Sequence, residues 1–252
     1  MKLKELYNRA IFYLSVPKCV CCKDKLDYED SGLCKACKIT YDLHKQRNCP
    51  RCSHKLSECF CTYDELKNHG IKNLVKLFRY SKSDESMPSN YLIYSLKQDN
   101  RKDVIAFLAD ELSDAILRQI GNDPKEHVIT SVPRRRRAVV DFGYDHAKTL
   151  AKAVSLRIGV EYVEVLRSEA KKPQKSVYGD ARRENAKFDY KCAEDFTLKG
   201  KTVIIVDDII TTGSSMINSA TLIRGLKPKR IIGACIGTAY KEKGIEFQHS
   251  AY

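Results

Sequence analysis

Residues Val203–Ser215 read VIIVDDIITTGSS, and this run limits the fold more than any other part of the chain. Val203–Val206 is continuously apolar and largely β-branched, which suits a strand buried on both faces of a parallel sheet. Asp207 and Asp208 follow at once. Two adjacent carboxylates at the end of a buried strand are costly unless hydroxyls, metal or cations meet them, so their placement points to a ligand. Thr211, Thr212, Gly213, Ser214 and Ser215 then form a small-residue loop entering a helix expected at Ser215–Leu226. Gly213 permits close backbone approach, and the loop's N–H and hydroxyl groups, aided by the helix dipole, make a phosphate cradle. An acid pair beside such a cradle fits a ribose 5-phosphate, the diol on the carboxylates and the phosphate in the loop. The plain structural alternative is a buried strand ending in a capped helix start, with Asp208 or Ser214 as the cap.

Strands and helices alternate around this run. Val75–Tyr80, His127–Pro133, Val160–Leu166, Thr202–Val206 and Ile231–Gly237 read as strands, and Arg101–Gln119 and Tyr144–Arg157 carry apolar residues at helical spacing. The alternation predicts an α/β fold, a mostly parallel sheet covered by helices on both faces. Ligands of such sheets sit at the carboxyl ends of the strands, which places Pro133 and Arg134–Arg137 on the same rim as Asp207–Ser215. The Lys- and Arg-rich stretch Arg167–Tyr190 has no clear period, so it is either a lid over that rim or a solvated basic loop.

The front of the chain is a different material. Nine of the eleven cysteines lie between Cys19 and Cys61, as Cys19-x2-Cys22, Cys34-x2-Cys37, Cys49-x2-Cys52 and Cys59-x-Cys61, with Cys21 left over. Two-residue gaps let both thiolates of a tight turn point at one ion, the spacing of structural zinc sites. The simplest pairing puts one zinc on Cys19, Cys22, Cys34 and Cys37 and another on Cys49, Cys52, Cys59 and Cys61. An interleaved pairing uses the same residues, and His44 or His54 are alternatives within the last, tightest pair. Closed tetrathiolate sites leave no position for substrate, so the metal is expected to be structural. Disulfides are the weaker reading, because the N-terminus lacks the features of a secretion signal. The apolar residues Leu3, Leu6, Tyr7, Ala10, Ile11 and Leu14 predict an amphipathic N-terminal helix with one face buried. A boundary is expected near Thr62, giving a zinc module at 1–62 and the α/β domain at 63–252. Cys192 and Cys235 stand apart and carry no assigned chemistry.

With 252 residues and 43% hydrophobic content, the chain is long enough for a soluble globular core, and no apolar stretch approaches a membrane span. The net charge of +13 fits either phosphate-rich partners or a lysine-rich solvated surface.

The Val203–Ser215 run resembles the 5-phosphoribosyl-1-pyrophosphate (PRPP) motif of type I phosphoribosyltransferases, with four apolar residues, two acids and a Thr/Gly/Ser loop. Enzymes of that family acting on 6-oxopurines place an acid where Thr211 stands, so the resemblance disfavours a hypoxanthine-guanine substrate. FYLSVPKCVCC, CPRC, SVP with its basic run, FGYDHAKTLAKAV and LR…KPQK…RRENAKF together look like the ComF (competence protein F) family, over nearly the whole chain. That resemblance implies a type I phosphoribosyltransferase fold behind a double zinc ribbon. It also implies Mg-bound PRPP as ligand and a cytoplasmic role in DNA uptake and natural transformation, with single-stranded DNA and other DNA-uptake proteins as partners. Asp207 and Asp208 would then hold the ribose, Thr211–Ser215 the 5-phosphate and Pro133–Arg137 the pyrophosphate, with Gln174, Arg182 and Asn185 in the lid. Phe142 and His146 depart from the family, which commonly has Arg and Gln there; one of Arg134–Arg137 would supply the missing phosphate contact. A binding protein that keeps the PRPP site without transfer is the competing implication.

Overall fold

The computed structural model describes residues 9, 11–80, 86–121, 123–134, 139–141, 143–168 and 188–239. Five strands form one parallel sheet: β1 (Ile71–Arg79), β2 (His127–Ser131), β3 (Glu161–Tyr162), β6 (Thr202–Ile210) and β7 (Arg230–Thr238), in the order β1-β7-β6-β2-β3. A separate antiparallel pair joins β4 (Leu166–Ser168) to β5 (Phe188–Tyr190). The helices are α1 (Lys35–Lys45), α2 (Asp64–Asn68), α3 (Pro88–Gln98), α4 (Lys102–Ile120), α5 (His146–Ile158) and α6 (Ser214–Gly225).

Both faces of the sheet are covered, as the alternation predicts. On one face Ile204, Val206, Ile232 and Ala234 pack with residues of α3, α4 and α5, among them Leu92, Leu108 and Leu150. On the other, Val203, Ile205, Ile231 and Cys235 pack with Leu66 of α2, with Met216, Ala220 and Ile223 of α6, and with Leu166 of β4. The helix after β2 therefore lies on one face and the helix after β6 on the other. Where neighbouring strands send their chains to opposite faces, the crevice between their carboxyl ends is left open. That switch point falls between β2 and β6.

Several elements differ from their sequence expectation. The stretch Val160–Leu166 is not one strand: β3 ends at Tyr162, and Leu166 opens β4 of the second sheet. The strand expected to end at Val206 runs on to Ile210, because β7 continues to pair with it through Asp207↔Cys235, Ile209↔Gly237 and Ile210↔Thr238. The helix α6 begins at Ser214, one residue before the expected start. Helix α3, which no sequence signal marked, starts with Pro88 in its first turn and buries Leu92, Ile93 and Leu96. Ile11 and Leu14, expected on a buried face, are exposed, while Phe12 packs edge-on to Tyr28 with centroids 5.3 Å apart. Among the described residues no helix is long and apolar enough to cross a membrane.

The cysteine-rich segment contributes to the main core rather than only to its own. Tyr41 of α1 is fully buried, edge-on to Phe78 of β1 (5.9 Å) and Phe107 of α4 (5.3 Å). Val20, Leu26 and Leu33 join the same cluster. Gly32 donates its N–H to Asp103 Oδ2 (3.3 Å), and its φ of +72° is a backbone state that a side chain disfavours.

Candidate functional site

The crevice between β2 and β6 is built by unequal strand lengths. Pairing of β2 with β6 ends at Ser131↔Val206, followed by one hydrogen bond from Val132 N to Val206 O at 2.9 Å. From Asp207 onward β6 is paired on its β7 side, and Pro133 and Arg134 leave the sheet on the other. The backbone thus brings Asp207, Asp208, Pro133 and Arg134 to one rim. Arg135, Arg136 and Arg137 lie outside the described residues, as do Gln174, Arg182 and Asn185, which fall in the segment between β4 and β5.

The two carboxylates are held differently. Asp207 Oδ1 accepts the N–H of Asp208 (2.8 Å), and Asp208 Oδ1 accepts that of Ile209 (2.7 Å). Lys97 Nζ stands 3.3 Å from Asp208 Oδ2. Asp207 keeps some exposed surface as a residue, yet its carboxyl group is enclosed, and burial followed by the charge of Asp208 pushes its pKa well above the usual carboxylate range. A carboxyl whose surroundings favour its protonated form in this way can give up that proton when a cation or hydroxyl donors enter the crevice.

Beyond Ile210 the chain turns through the exposed Thr211 and Thr212 into Gly213, whose φ of +77° starts α6. A Cβ added there would meet Leu66 Cδ2 at 3.4 Å. The first turn of α6 closes with Ile217 N donating to Gly213 O (2.9 Å), and the hydroxyls of Thr212 and Ser214 lie 3.0 Å apart. The N–H groups of Ser214, which reaches Thr212 Oγ1 at 3.4 Å, and of Ser215 precede that bond, in the part of a helix that has donors to offer an anion.

Sequence reasoning missed two residues of this rim. Lys97 is in the last turn of α3, the helix that went unassigned. His146, noted only as a departure from the ComF pattern, is fully buried; its Nε2 donates to Lys97 O (2.7 Å) and its Nδ1 accepts from an Arg134 Nη1–H. It fastens the loop after β2 to the end of α3, and so fixes where Lys97 and Arg134 stand. Asp145 caps the same helix through Lys148 N (3.0 Å).

The cysteines form two groups in which all four sulfurs lie within 4.8 Å of one another: Cys19, Cys22, Cys34, Cys37 and Cys49, Cys52, Cys59, Cys61. Sulfur pairs in the two groups are 3.6 Å (Cys22–Cys34) and 3.5 Å (Cys52–Cys59) apart. Four thiolates around zinc at about 2.3 Å would stand roughly 3.8 Å apart, so the sulfur sets fit that ion. None of the eleven cysteines is in a disulfide. His44 stacks on Phe78 and bonds Ser89 Oγ (2.8 Å), and His54 Nδ1 bonds Cys52 O (2.9 Å), so neither belongs to a sulfur group. Cys21 is outside both and packs on the core. A cavity of about 650 Å³, lined by Lys72, His127, Thr202 and Arg230, lies at the opposite, amino-terminal ends of the strands, away from the acid pair.

Residues 137–247 match the phosphoribosyl transferase domain family. This part of the chain is similar to that domain family. With the switch-point crevice and the two-faced parallel sheet, this is the type I phosphoribosyltransferase fold, preceded by the two cysteine groups. Adenine phosphoribosyltransferase of Yarrowia lipolytica is 39% identical over 74 residues, 29% of this chain and 40% of that protein. The ribose-phosphate pyrophosphokinase of Thermococcus kodakarensis is 44% identical over 52 residues, 21% of this chain and 19% of that protein. The chain thus spans less than half the length of either. DNA utilization protein YhgH of Escherichia coli O157:H7 is 25% identical over 218 residues, covering 83% of this chain and 92% of that protein, which extends the ComF-type resemblance across both modules. Among solved structures, purine phosphoribosyltransferase from Pyrococcus horikoshii aligns with TM-score 0.37 and 18% identity, over 56% of this chain and 81% of that one.

Proposed function

We propose that the chain is a PRPP-binding phosphoribosyltransferase of the ComF type. The observation that carries the reading is the rim itself, where the Asp207–Asp208 pair, the left-handed Gly213 helix entry and the Pro133–Arg134 turn share one switch-point crevice. In this reading Asp207 and Asp208 accept the ribose hydroxyls. The N–H and hydroxyl groups of Thr211, Thr212, Gly213, Ser214 and Ser215 hold the 5-phosphate, and Arg134 with its neighbours Arg135, Arg136 and Arg137 faces the pyrophosphate. Lys97 sets the position of Asp208 through its 3.3 Å contact, and His146 sets that of Lys97 and Arg134. The reaction is displacement of pyrophosphate from C1 of PRPP by a nucleophile. The protein's part is to orient the sugar and to meet, with fixed donors, the charge that develops on the leaving group. Mg²⁺ bound with PRPP would supply further charge neutralisation there, and the hard oxygen donors of the acid pair suit it. Gln174, Arg182 and Asn185 are assigned to a lid that excludes water.

Thr211 in place of an acid argues against a 6-oxopurine acceptor. The name of the YhgH relative and the ComF resemblance support a cytoplasmic setting in DNA uptake, with single-stranded DNA and other uptake proteins as partners. The two sulfur groups are assigned to structural zinc, within a module ending near Thr62.

The test is PRPP binding by calorimetry and pyrophosphate release, with wild type, Asp207→Asn and Asp208→Asn. Loss of affinity in both variants is expected, and unchanged affinity sinks the assignment. Binding without pyrophosphate release, with nucleobases and single-stranded DNA supplied as acceptors, would assign the site to PRPP sensing instead of transfer.

A further inference from the structure

Lys76 lies in the middle of β1, where the strand is otherwise apolar, and is buried. Its ammonium has three N–H donors, and three acceptors surround it: Cys61 O at 3.0 Å, Cys59 O at 3.2 Å and Cys59 Sγ at 3.4 Å. Among the described residues it pairs with no carboxylate. A buried ammonium requires a counter-charge, and the one that touches it is a sulfur of the second cysteine group. The same sulfur accepts the N–H of Cys61 (3.3 Å), and Leu74 of β1 donates its N–H to Phe60 O (3.1 Å). The 59–61 turn is therefore laid along β1 by its backbone, and Lys76 reaches out of the sheet to its sulfur.

The first group is arranged otherwise. Cys19 is buried, but Cys22 is exposed and Cys34 and Cys37 are half-buried, so water reaches more of this group than of the second. The second group has Cys49 and Cys59 buried and Lys76 in contact. A divalent ion with four thiolates carries two net negative charges, and burying these without a cation is expensive.

We propose that Lys76 is the charge-balancing partner of the second tetrathiolate site, and that this site and the edge of the transferase sheet hold each other in place. The inference rests on the zinc reading of the two sulfur groups. With metal bound, the ammonium and the dianionic cluster compensate each other.

The test uses the full chain, wild type against Lys76→Met and Lys76→Gln, with zinc content by atomic absorption, release of zinc to a chromogenic chelator, and thermal unfolding with and without chelator. Wild type should hold two zinc ions per chain; a wild type that holds none or one overturns the underlying zinc reading, separately from the role of Lys76. In both variants one ion should leave at least 10-fold faster than from wild type, with the other unchanged. The zinc-loaded variants should unfold at a lower temperature than zinc-loaded wild type, and chelator should narrow that difference. Two ions released at wild-type rates would overturn the proposal. So would variants whose deficit in melting temperature is as large with chelator as without it, or variants that fail to fold under conditions in which chelated wild type stays folded.

Discussion

At Asp207, burial and the adjacent charge of Asp208 act in the same direction, and both hold a proton on the folded protein that the unfolded chain would lose. A pKa raised on folding means that the folded state binds more protons in the window between the usual carboxylate pKa and the raised one. Stability is greatest below that window and is lost as pH rises through it. Asp207→Asn keeps an oxygen for the Asp208 N–H and removes the ionisation. The variant should lose PRPP affinity, while its Tm at neutral pH rises by about 2–4 °C for each kcal/mol of strain relieved. Its Tm should also vary less with pH than that of wild type above the usual carboxylate range, which is checked by differential scanning calorimetry over a pH series. Gly213 allows a second measurement at this scale. Gly213→Ala forces a side chain into the left-handed region at a cost of about 1–2 kcal/mol and sets a methyl group against Leu66. Urea denaturation should show that loss, and calorimetry should show PRPP affinity falling further than the stability change alone explains.

Among the elements, the residues that were legible were those whose pattern is local. The apolar run of β6, the helical stripes of α4 and α5 and the close cysteine pairs each declare themselves within a few residues. What stayed hidden depends on partners distant in sequence. That β6 continues through two charged residues is decided by β7, which keeps pairing with it, and no property of Asp207 or Asp208 signals it. The break between β3 and β4 arises because Leu166–Ser168 finds β5 as its partner across the interval of the suspected lid. Helix α3 escaped because its segment mixes Ser, Asn and Tyr with three deeply buried aliphatic residues, and Ser89, Asn90 and Ser95 are buried as well. Lys76 did leave a mark, a charge inside an apolar strand, but its meaning required the sulfur 3.4 Å away. His146 ties α5 to α3 and to the loop after β2. His146→Ala takes one partner from the Lys97 carbonyl and one from the Arg134 guanidinium, so a loss of about 1–3 kcal/mol in urea denaturation is expected. His146→Gln, which can satisfy at least one of these partners, should lose less.

On the scale of the molecule, the cysteine-rich front and the transferase sheet meet through a shared core. Tyr41 fills the space between Phe78 and Phe107, its hydroxyl lies 3.4 Å from Glu111 Oε2, and Lys45 pairs with the same carboxylate. Sequence spacing identified two materials, but it could not show that an aromatic side chain from one completes the core of the other. Tyr41→Ala opens a cavity in that core and should cost about 3–5 kcal/mol. Because the residue is shared, thermal unfolding followed by near-ultraviolet circular dichroism and by zinc release should shift together.

The Phe60 carbonyl on Leu74 has a consequence for assembly. The sheet has two margins, and the one at β3 is only two residues long. The other, β1, runs for nine residues and would be an inviting template for a foreign strand if it were bare. With Leu74 N–H taken by Phe60 O, residues 59–61 cover part of that border. A chain begun at residue 63 would lose that cover, and light scattering should find it self-associating through β1 while the full chain stays dispersed.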